Sequence, residues 1–246
     1  MSALLEVDGL KKRFGGNEAV SGVSFDVHPG ECVVVAGDNG AGKSTVIKMI
    51  SGVYTPTAGE VRFKGEKLTG KSPEAVRAAG LETIYQDLAL ADNLDPGLNL
   101  YLGREKMRRV MGIPVLDRKT MRNDAAAVMK SLGIALPDPS AAVREMSGGQ
   151  RQAIAIARAI HWKAQLVIMD EPTAALGVPE QREVMALIER LKTQDVGIIL
   201  ISHNLPDIFA AADRIVVLAR GRVAGTRMPS ETSDEEIVRL MMGASD

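Results

Sequence analysis

Three short runs carry side chains that could do chemistry together: Gly37-Asp38-Asn39-Gly40-Ala41-Gly42-Lys43-Ser44-Thr45, Ser147-Gly148-Gly149-Gln150-Arg151, and Asp170-Glu171. The first fits the pattern G-x-x-x-x-G-K-[ST], a loop whose bare amides can wrap a polyphosphate because its glycines put no side chain in the way. In such a loop Lys43 sets a cation against the β- and γ-phosphates, and the Ser44 hydroxyl is an oxygen ligand for Mg2+. A helix starting here also turns the positive end of its dipole towards the anion. Asp170 and Glu171 close an apolar run at 166–169, where a buried strand would deliver carboxylates to the edge at which α/β folds bind ligands. Taken alone, such a pair caps the next turn as readily as it does chemistry. Behind a phosphate loop, the two acids divide into a Mg2+-side carboxylate, Asp170, and a base, Glu171, that polarises water for in-line attack on a γ-phosphate. Ser147 ahead of Gly148, Gly149 and Gln150 makes a helix start suited to a second phosphate contact. The spacing of the two grips leaves open whether they hold one ATP between them.

The elements that must position these residues can be read around them. Residues 33–36 are a short apolar strand ahead of the phosphate loop, and residues 46–50 follow it with helical character, with Gly52 as a stop. Residues 4–7 and 23–27 alternate as strands on either side of the turn-rich 14–17, which predicts a β-rich entry. A further strand at 60–63 ends at Gly65, and strand-like 83–85 leads into Gln86, a polar residue where a strand gives way to a loop. From about 99 to 162 the pattern is predominantly helical, clearest at 120–132, and this stretch is the candidate inserted lobe. After it, strands at 166–169 and 198–201 flank an amphipathic helix from about 179 to 194, the rhythm of an α/β core with a parallel sheet. The tail, 232–246, is polar and helix-prone at 235–241, and is expected to pack or fray with no added regulatory domain beyond it.

Composition narrows what the site serves. A chain of 246 residues, 46% of them apolar, can build a substantial core. Thirty basic residues against thirty-one acidic ones argue against a nucleic-acid footprint. No run approaches the ~18 apolar residues of a membrane-spanning helix, and no apolar signal core opens the chain. These features predict a soluble chain. The lone Cys32, at the head of an apolar strand, predicts a buried filler and not a reactive thiol, with a reducing cytoplasm as its home. His28 and His161 match no motif and are expected to be structural.

With its motifs placed in order, the chain resembles the nucleotide-binding subunit of ATP-binding cassette transporters over nearly its whole length. A phosphate loop like 37–45, a glutamine like Gln86, a signature like Ser147-Gly148-Gly149-Gln150, an acidic strand end like Asp170-Glu171 and a switch histidine like His203 occur in that family's sequence. The resemblance implies an α/β fold: a P-loop NTPase core with a mixed or parallel sheet, an N-terminal antiparallel β subdomain and an inserted helical subdomain. It implies one cassette over 1–246, with 1–86 and 163–246 as core and 87–162 as the helical lobe. It also implies a head-to-tail sandwich in which ATP on one copy's phosphate loop is closed by the signature of its partner. Phe14 then resembles the aromatic that stacks on adenine, Gln86 the Mg2+ and water sensor that reports to membrane subunits, and His203 the residue that contacts the γ-phosphate.

The "IYQ-acid-L-x-L" stretch from Ile84 and the later "NLYLGRE" from Asn99 are similar to the ATPases of bacterial monosaccharide importers. That narrower resemblance implies membrane-spanning permease partners, a second copy as homodimer partner with a heterodimer of related chains as the alternative, an external solute-binding protein served indirectly, and a peripheral place on the cytoplasmic face of the plasma membrane. It leaves import of a non-sugar solute as an alternative. One position departs from the family: Gly177 stands where a carboxylate normally reaches across the dimer seam, which predicts retained hydrolysis with altered cooperativity. A chromosome-organising cassette would carry a long coiled coil between phosphate loop and signature, and no sustained heptads occur here. A translation-associated cassette would show paired cassettes and a basic linker, and a small-molecule kinase would have no use for Ser147 to Gln150.

Overall fold

Two glycines, Gly15 and Gly16, separate alternating runs and fold them into a hairpin in which β1 (Leu5–Phe14) pairs antiparallel with β2 (Asn17–Val27), Phe14 opposite Asn17. The strands run further than their apolar cores at 4–7 and 23–27 suggest, because exposed polar residues at 11–13 and 17–18 continue the ladder. The structure, a computed structural model, describes residues 2–134 and 138–243. Residues 135–137 of the stretch read as helical and 244–246 of the tail lie outside the described residues.

Next along the chain come β3 (Cys32–Ala36), α1 (Lys43–Ile50), β4 (Ala58–Phe63), β5 (Glu66–Lys67), α2 (Pro73–Ala78) and β6 (Leu81–Ile84). The middle of the chain holds α3 (Pro96–Leu100), β7 (Met107–Val110), β8 (Ile113–Leu116), α4 (Arg118–Ser131) and α5 (Gly148–His161). The remainder is β9 (Leu166–Asp170), α6 (Val178–Lys192), β10 (Gly197–Ser202), α7 (Leu205–Ala211), β11 (Arg214–Ala219), β12 (Arg222–Arg227) and α8 (Asp234–Met241). The chain forms two units, one of Met1–Gln86, Ala164–Pro172 and Ile188–Asp246, the other of Asp87–Lys163 and Thr173–Leu187.

The first unit contains two sheets. One is antiparallel with strand order β2-β1-β4-β5. The other has order β12-β11-β3-β10-β9-β6, parallel from β11 to β6, with β12 antiparallel at the edge. β3 and β10 are buried at every residue, which is why they read as unbroken apolar runs and not as alternation. Cys32 is fully buried, and desolvation pushes its thiol well above the ordinary range, as expected of a packing residue. β11 and β12 have no counterpart in the sequence reading. Their signal is a two-residue turn, Arg220-Gly221, with both residues in the left-handed region that such hairpin turns require.

The second unit is helical except at one place. Asp95, almost fully buried, caps α3 by accepting from the Leu98 amide at 2.9 Å and takes the Arg122 guanidinium at 2.9 and 2.8 Å. Gly97 is required by this packing, since a Cβ there would sit 2.9 Å from the Arg122 backbone. Residues 107–116, inside the run expected to be helical, instead form the hairpin β7–β8. Met111-Gly112 turns the chain there with both φ positive, a geometry a helix cannot contain.

The tail packs. Ile237 and Leu240 on α8 are fully buried in the first unit, with Leu240 against Gly225 of β12. Leu240→Ala should therefore cost about 2–5 kcal/mol, read as a shift in the denaturant midpoint. A shift no larger than that of an exposed substitution such as Glu235→Ala would show that α8 contributes nothing to the core.

Candidate functional site

β3 ends at Ala36, and the chain turns from it into α1 through the glycine loop. Gly42, the residue before the helix, has φ +103° and lies so close to Ala19 that a Cβ would meet that carbonyl at 2.9 Å. Gly40 opens the other way, with nothing within 4 Å of a Cβ there. The loop thus combines a point of tight backbone approach with a bare outward face, as phosphate cradling needs. A cavity of about 590 Å³ lies over it in the first unit, a size suited to a nucleotide-scale ligand. Asn39, Gly40, Gly42, Lys43, Ser44 and Thr45 line it, together with Gln86, Asp170 and Glu171. Gly37, Asp38 and Ala41 of the same loop lie outside the lining.

Lys43 is only 7% exposed, and its Nζ donates to the carbonyls of Gly37 at 2.7 Å and Asp38 at 3.0 Å. Two of the three ammonium protons are therefore held by the loop, which leaves one for a ligand in the cavity. Burial lowers the Lys43 pKa, while Glu171, Asp170 and Asp38 pull it back up. Burial raises that of Asp170, and the neighbouring Glu171 adds to the rise against the pull of Lys43 and Lys48. The site thus sets two partly buried, like-charged carboxylates near the desolvated Lys43 ammonium.

Glu171 has φ +49°, a strained conformation for a residue with a Cβ, held by its amide donating to Ile201 O at 3.0 Å. The turn takes the carboxylate out of the strand direction and into the cavity. His203, just past β10, places Nδ1 2.8 Å from Glu171 Oε1. Phe14 does not line the cavity. It is 44% exposed and meets Tyr54 edge-on with ring centroids 5.4 Å apart, with the Lys12 ammonium 5.2 Å from its own ring centre.

Ser44, Gln86 and Asp170 offer hydroxyl, amide and carboxylate oxygens to one cavity, a hard donor set that suits Mg2+ when phosphate oxygens complete it. Among the described residues no three His, Cys, Asp or Glu side chains cluster to hold a metal without such help. The cavity also includes residues the sequence reading passed over: Asn17, Glu18 and Ala19 at the start of β2, and Arg220 and Gly221 in the β11–β12 turn. Gly221 donates to Ala41 O at 3.0 Å and accepts from the Ser21 amide at 2.8 Å, tying that turn to the phosphate loop and to β2. The x-Gly pair at 220–221 was the signal that could have found it.

In the second unit, Ser147 begins α5 with a reciprocal cap: its hydroxyl accepts from the Gln150 amide at 3.3 Å and its amide donates to Gln150 Oε1 at 3.0 Å. The Glu180 carboxylate accepts from the Gly177 amide at 3.1 Å. A Cβ at Gly177 would meet nothing nearer than 3.8 Å, so the backbone does not require glycine there.

A family of ABC transporters matches residues 20–174. The xylose/arabinose import ATP-binding protein XylG of Sulfolobus acidocaldarius is 44% identical over 241 residues, 98% of this chain and 94% of its own length. The fructose import ATP-binding protein FrcA of Rhizobium meliloti is 44% identical, with 99% and 95% covered. The ribose import ATP-binding protein RbsA 1 of Streptomyces avermitilis is 40% identical over 98% of this chain, which spans 45% of that relative. Among solved structures, a nucleotide-free ATP-binding cassette from an ABC transporter superposes with a TM-score of 0.84 at 23% identity, 99% of this chain and 100% of that one covered. The fold is that of these cassettes. Among the described residues no helix is long and apolar enough to cross a membrane. With the family model matched over residues 20–174 and XylG and FrcA matched along nearly their full length, this chain belongs to the ABC transporter family as an ATP-binding and ATP-hydrolysing cassette.

Proposed function

We propose that this cassette energises import of a monosaccharide, working as a pair of copies on the cytoplasmic face of a membrane-spanning permease. The observation that carries the catalytic part is the convergence of Lys43, Ser44, Gln86, Asp170 and Glu171 on one cavity, with His203 bonded to Glu171. The import part rests on relatives named for xylose/arabinose, fructose and ribose import. Because those names differ in sugar at similar identity, the sugar is selected by permease and external binding protein and not by this chain.

In this reading the triphosphate lies along the glycine loop, with the remaining Lys43 proton and the α1 amides on its β- and γ-oxygens. Phe14, with Tyr54 and Lys12 beside it, takes the adenine. Ser44, Gln86 and Asp170 would hold Mg2+, which supplies charge neutralisation of the phosphates. Glu171 accepts a proton from water as that water's oxygen attacks the γ-phosphorus and the bond to the β-phosphate oxygen breaks, giving ADP and phosphate. His203 fixes the Glu171 carboxylate and reaches towards the γ-phosphate. The Ser147 helix start, with Gly148, Gly149 and Gln150, closes the nucleotide of the partner copy. The cassette is one functional domain over 1–246, in which 87–162 is the lobe that carries this second grip. Closure on two ATP and opening after hydrolysis drive the permease through alternating access. Without a carboxylate at 177, coupling between the two sites is altered while hydrolysis is kept.

Glu171→Gln should bind ATP and pair with a second copy yet lose turnover about a hundredfold or more, whereas Lys43→Ala should weaken ATP binding itself by about tenfold or more. Parent-like turnover in the glutamine variant would remove Glu171 as the base. Failure of that variant to dimerise when saturated with ATP would remove the sandwich. Asp170 gives a prediction of opposite sign for stability. Its folded pKa is raised, so its ionised form opposes folding at neutral pH, and the cost is released as pH falls through the raised value. Asp170→Asn should therefore stabilise the free protein at pH 7 by roughly 0.5–2 kcal/mol, a few degrees in Tm, while depressing Mg2+-dependent turnover. The stability gap should close as pH drops from the raised value to 3.8. A variant less stable than the parent at neutral pH would contradict this assignment.

A further inference from the structure

In the second unit the hairpin β7–β8 stands with nearly all of its residues exposed, from Met107 to Leu116. A two-stranded ribbon is marginal on its own in water, yet this one carries Met107, Val110, Met111, Ile113 and Leu116 in the open. Met111, at the tip, is 98% exposed. The pairing places Met107 and Leu116 opposite each other, then Arg108 and Val115, Arg109 and Pro114, and Val110 and Ile113. Side chains alternate across a ribbon, so Met107 and Leu116 project from one face and Val110 and Ile113 from the other. Apolar residues thus lie on both faces and at the tip, a distribution that entry into a lipid headgroup layer covers at once.

The charge around it identifies the medium. Between 104 and 119 there are six basic residues against two acidic ones, in a chain whose net charge is −1. Arg108, Arg109, Arg118 and Lys119 have no ion-pair partner among the described residues. Arg118 and Lys119 also occupy the first turn of α4, which holds no acidic residue beyond the Asp117 cap and where the helix dipole disfavours cations. Local preference is thus overridden in favour of positive charge beside an apolar tip.

The base of the hairpin is fixed. The Asp117 amide donates to Lys106 O at 2.8 Å, and Asp117 caps α4 through the Thr120 amide at 3.2 Å. The Lys106 ammonium meets Asp124 at 2.7 Å, and the Arg104 guanidinium lies 4.6 Å from the centre of the Trp162 ring. A rigid stem therefore carries an apolar tip ringed by unpaired cations.

We propose that β7–β8 is a lipid-contacting wedge: Met111, Val110 and Ile113 enter the headgroup region of an anionic membrane while Arg108, Arg109, Arg118 and Lys119 lie against its phosphates. This deepens the membrane-side part of the proposed function and rests on it. It gives the cassette a hold on the bilayer that does not pass through the permease.

The test is sedimentation of the whole purified chain with vesicles free of protein, either pure phosphatidylcholine or phosphatidylcholine with one third phosphatidylglycerol. The parent should pellet with the anionic vesicles at least tenfold more tightly than with the neutral ones, and should be released as salt rises from about 0.1 to 1 M and the screening length falls from ~10 to ~3 Å. Met111→Ser with Ile113→Ser should lose binding tenfold or more. Arg108→Gln with Arg109→Gln should lose roughly thirty-fold. Both pairs should keep the parent's melting temperature and its ATP turnover without lipid, which shows that they fold and tests the ATPase reading separately. Equal partition to both vesicle types, no partition to either, or variants that pellet like the parent would overturn the wedge. A hairpin that docks on permease protein instead gives the second of these results.

Discussion

Parallel register is the constraint on which the catalytic half of the molecule depends. In the larger sheet Ala36 of β3 lies beside Ser202 of β10 and Val217 of β11, Ile201 of β10 beside Asp170 of β9, and Met169 of β9 beside Ile84 of β6. Every one of these strands points the same way, so each hands its next residues to one edge. That edge receives the glycine loop after Ala36, His203 after Ser202, Glu171 after Asp170, Gln86 after Ile84 and Arg220 after Ala219. A slip of one residue between β10 and β9 would turn Asp170 to the other face of the sheet. Such a slip would also move the side chains of β3 and β10 between two fully buried layers, where close packing opposes a change of shape.

The charges at this edge are held in mutual tension. Lys43 is buried among carbonyls and acids, and Asp170 is pushed towards its neutral form by desolvation and by Glu171. Neither arrangement favours the folded chain by itself. In the proposed function each would become favourable when phosphate and a divalent cation arrive together, the anion answering the lysine and loop amides and the cation the carboxylates. Backbone strain at Glu171 follows the same logic: a residue at φ +49° is tolerated where the strand end must aim a carboxylate sideways.

How much of this could be read in the sequence depended on whether chemistry and local conformation were written in the same residues. At 37–45 they are, since the glycines that shape the loop are adjacent to Lys43 and Ser44, which line the cavity. The Ser147 start of α5 was equally readable because a serine cap and a glutamine three residues on form a box. Arg220 and Gly221 were missed because their only local signal is a turn, and their place by the phosphate loop comes from β11 pairing with β3, a contact no local pattern records. The β7–β8 hairpin was missed for the opposite reason. Its apolar residues face no core, so neither two-residue nor helical periodicity marks it, and its turn uses Met111 where asparagine or aspartate would have advertised a positive φ.

The glycines of the signature show how one residue type can answer two demands. Their bareness at a helix N-terminus is what an incoming phosphate needs, but the structure gives a second reason inside the same unit. A Cβ on Gly148 would lie 2.5 Å from Leu176 Cδ2, and one on Gly149 would lie 3.1 Å from Glu180 Cβ. The loop at 173–177 and the first turn of α6 therefore pack directly against the start of α5, with Glu180 also accepting the Gly177 amide. Any side chain at 148 would require the Leu176 side chain to move, and the loop that carries it begins two residues after Glu171. Glycine at these positions thus lets the start of α5 pack by van der Waals contact against the segment that follows Glu171.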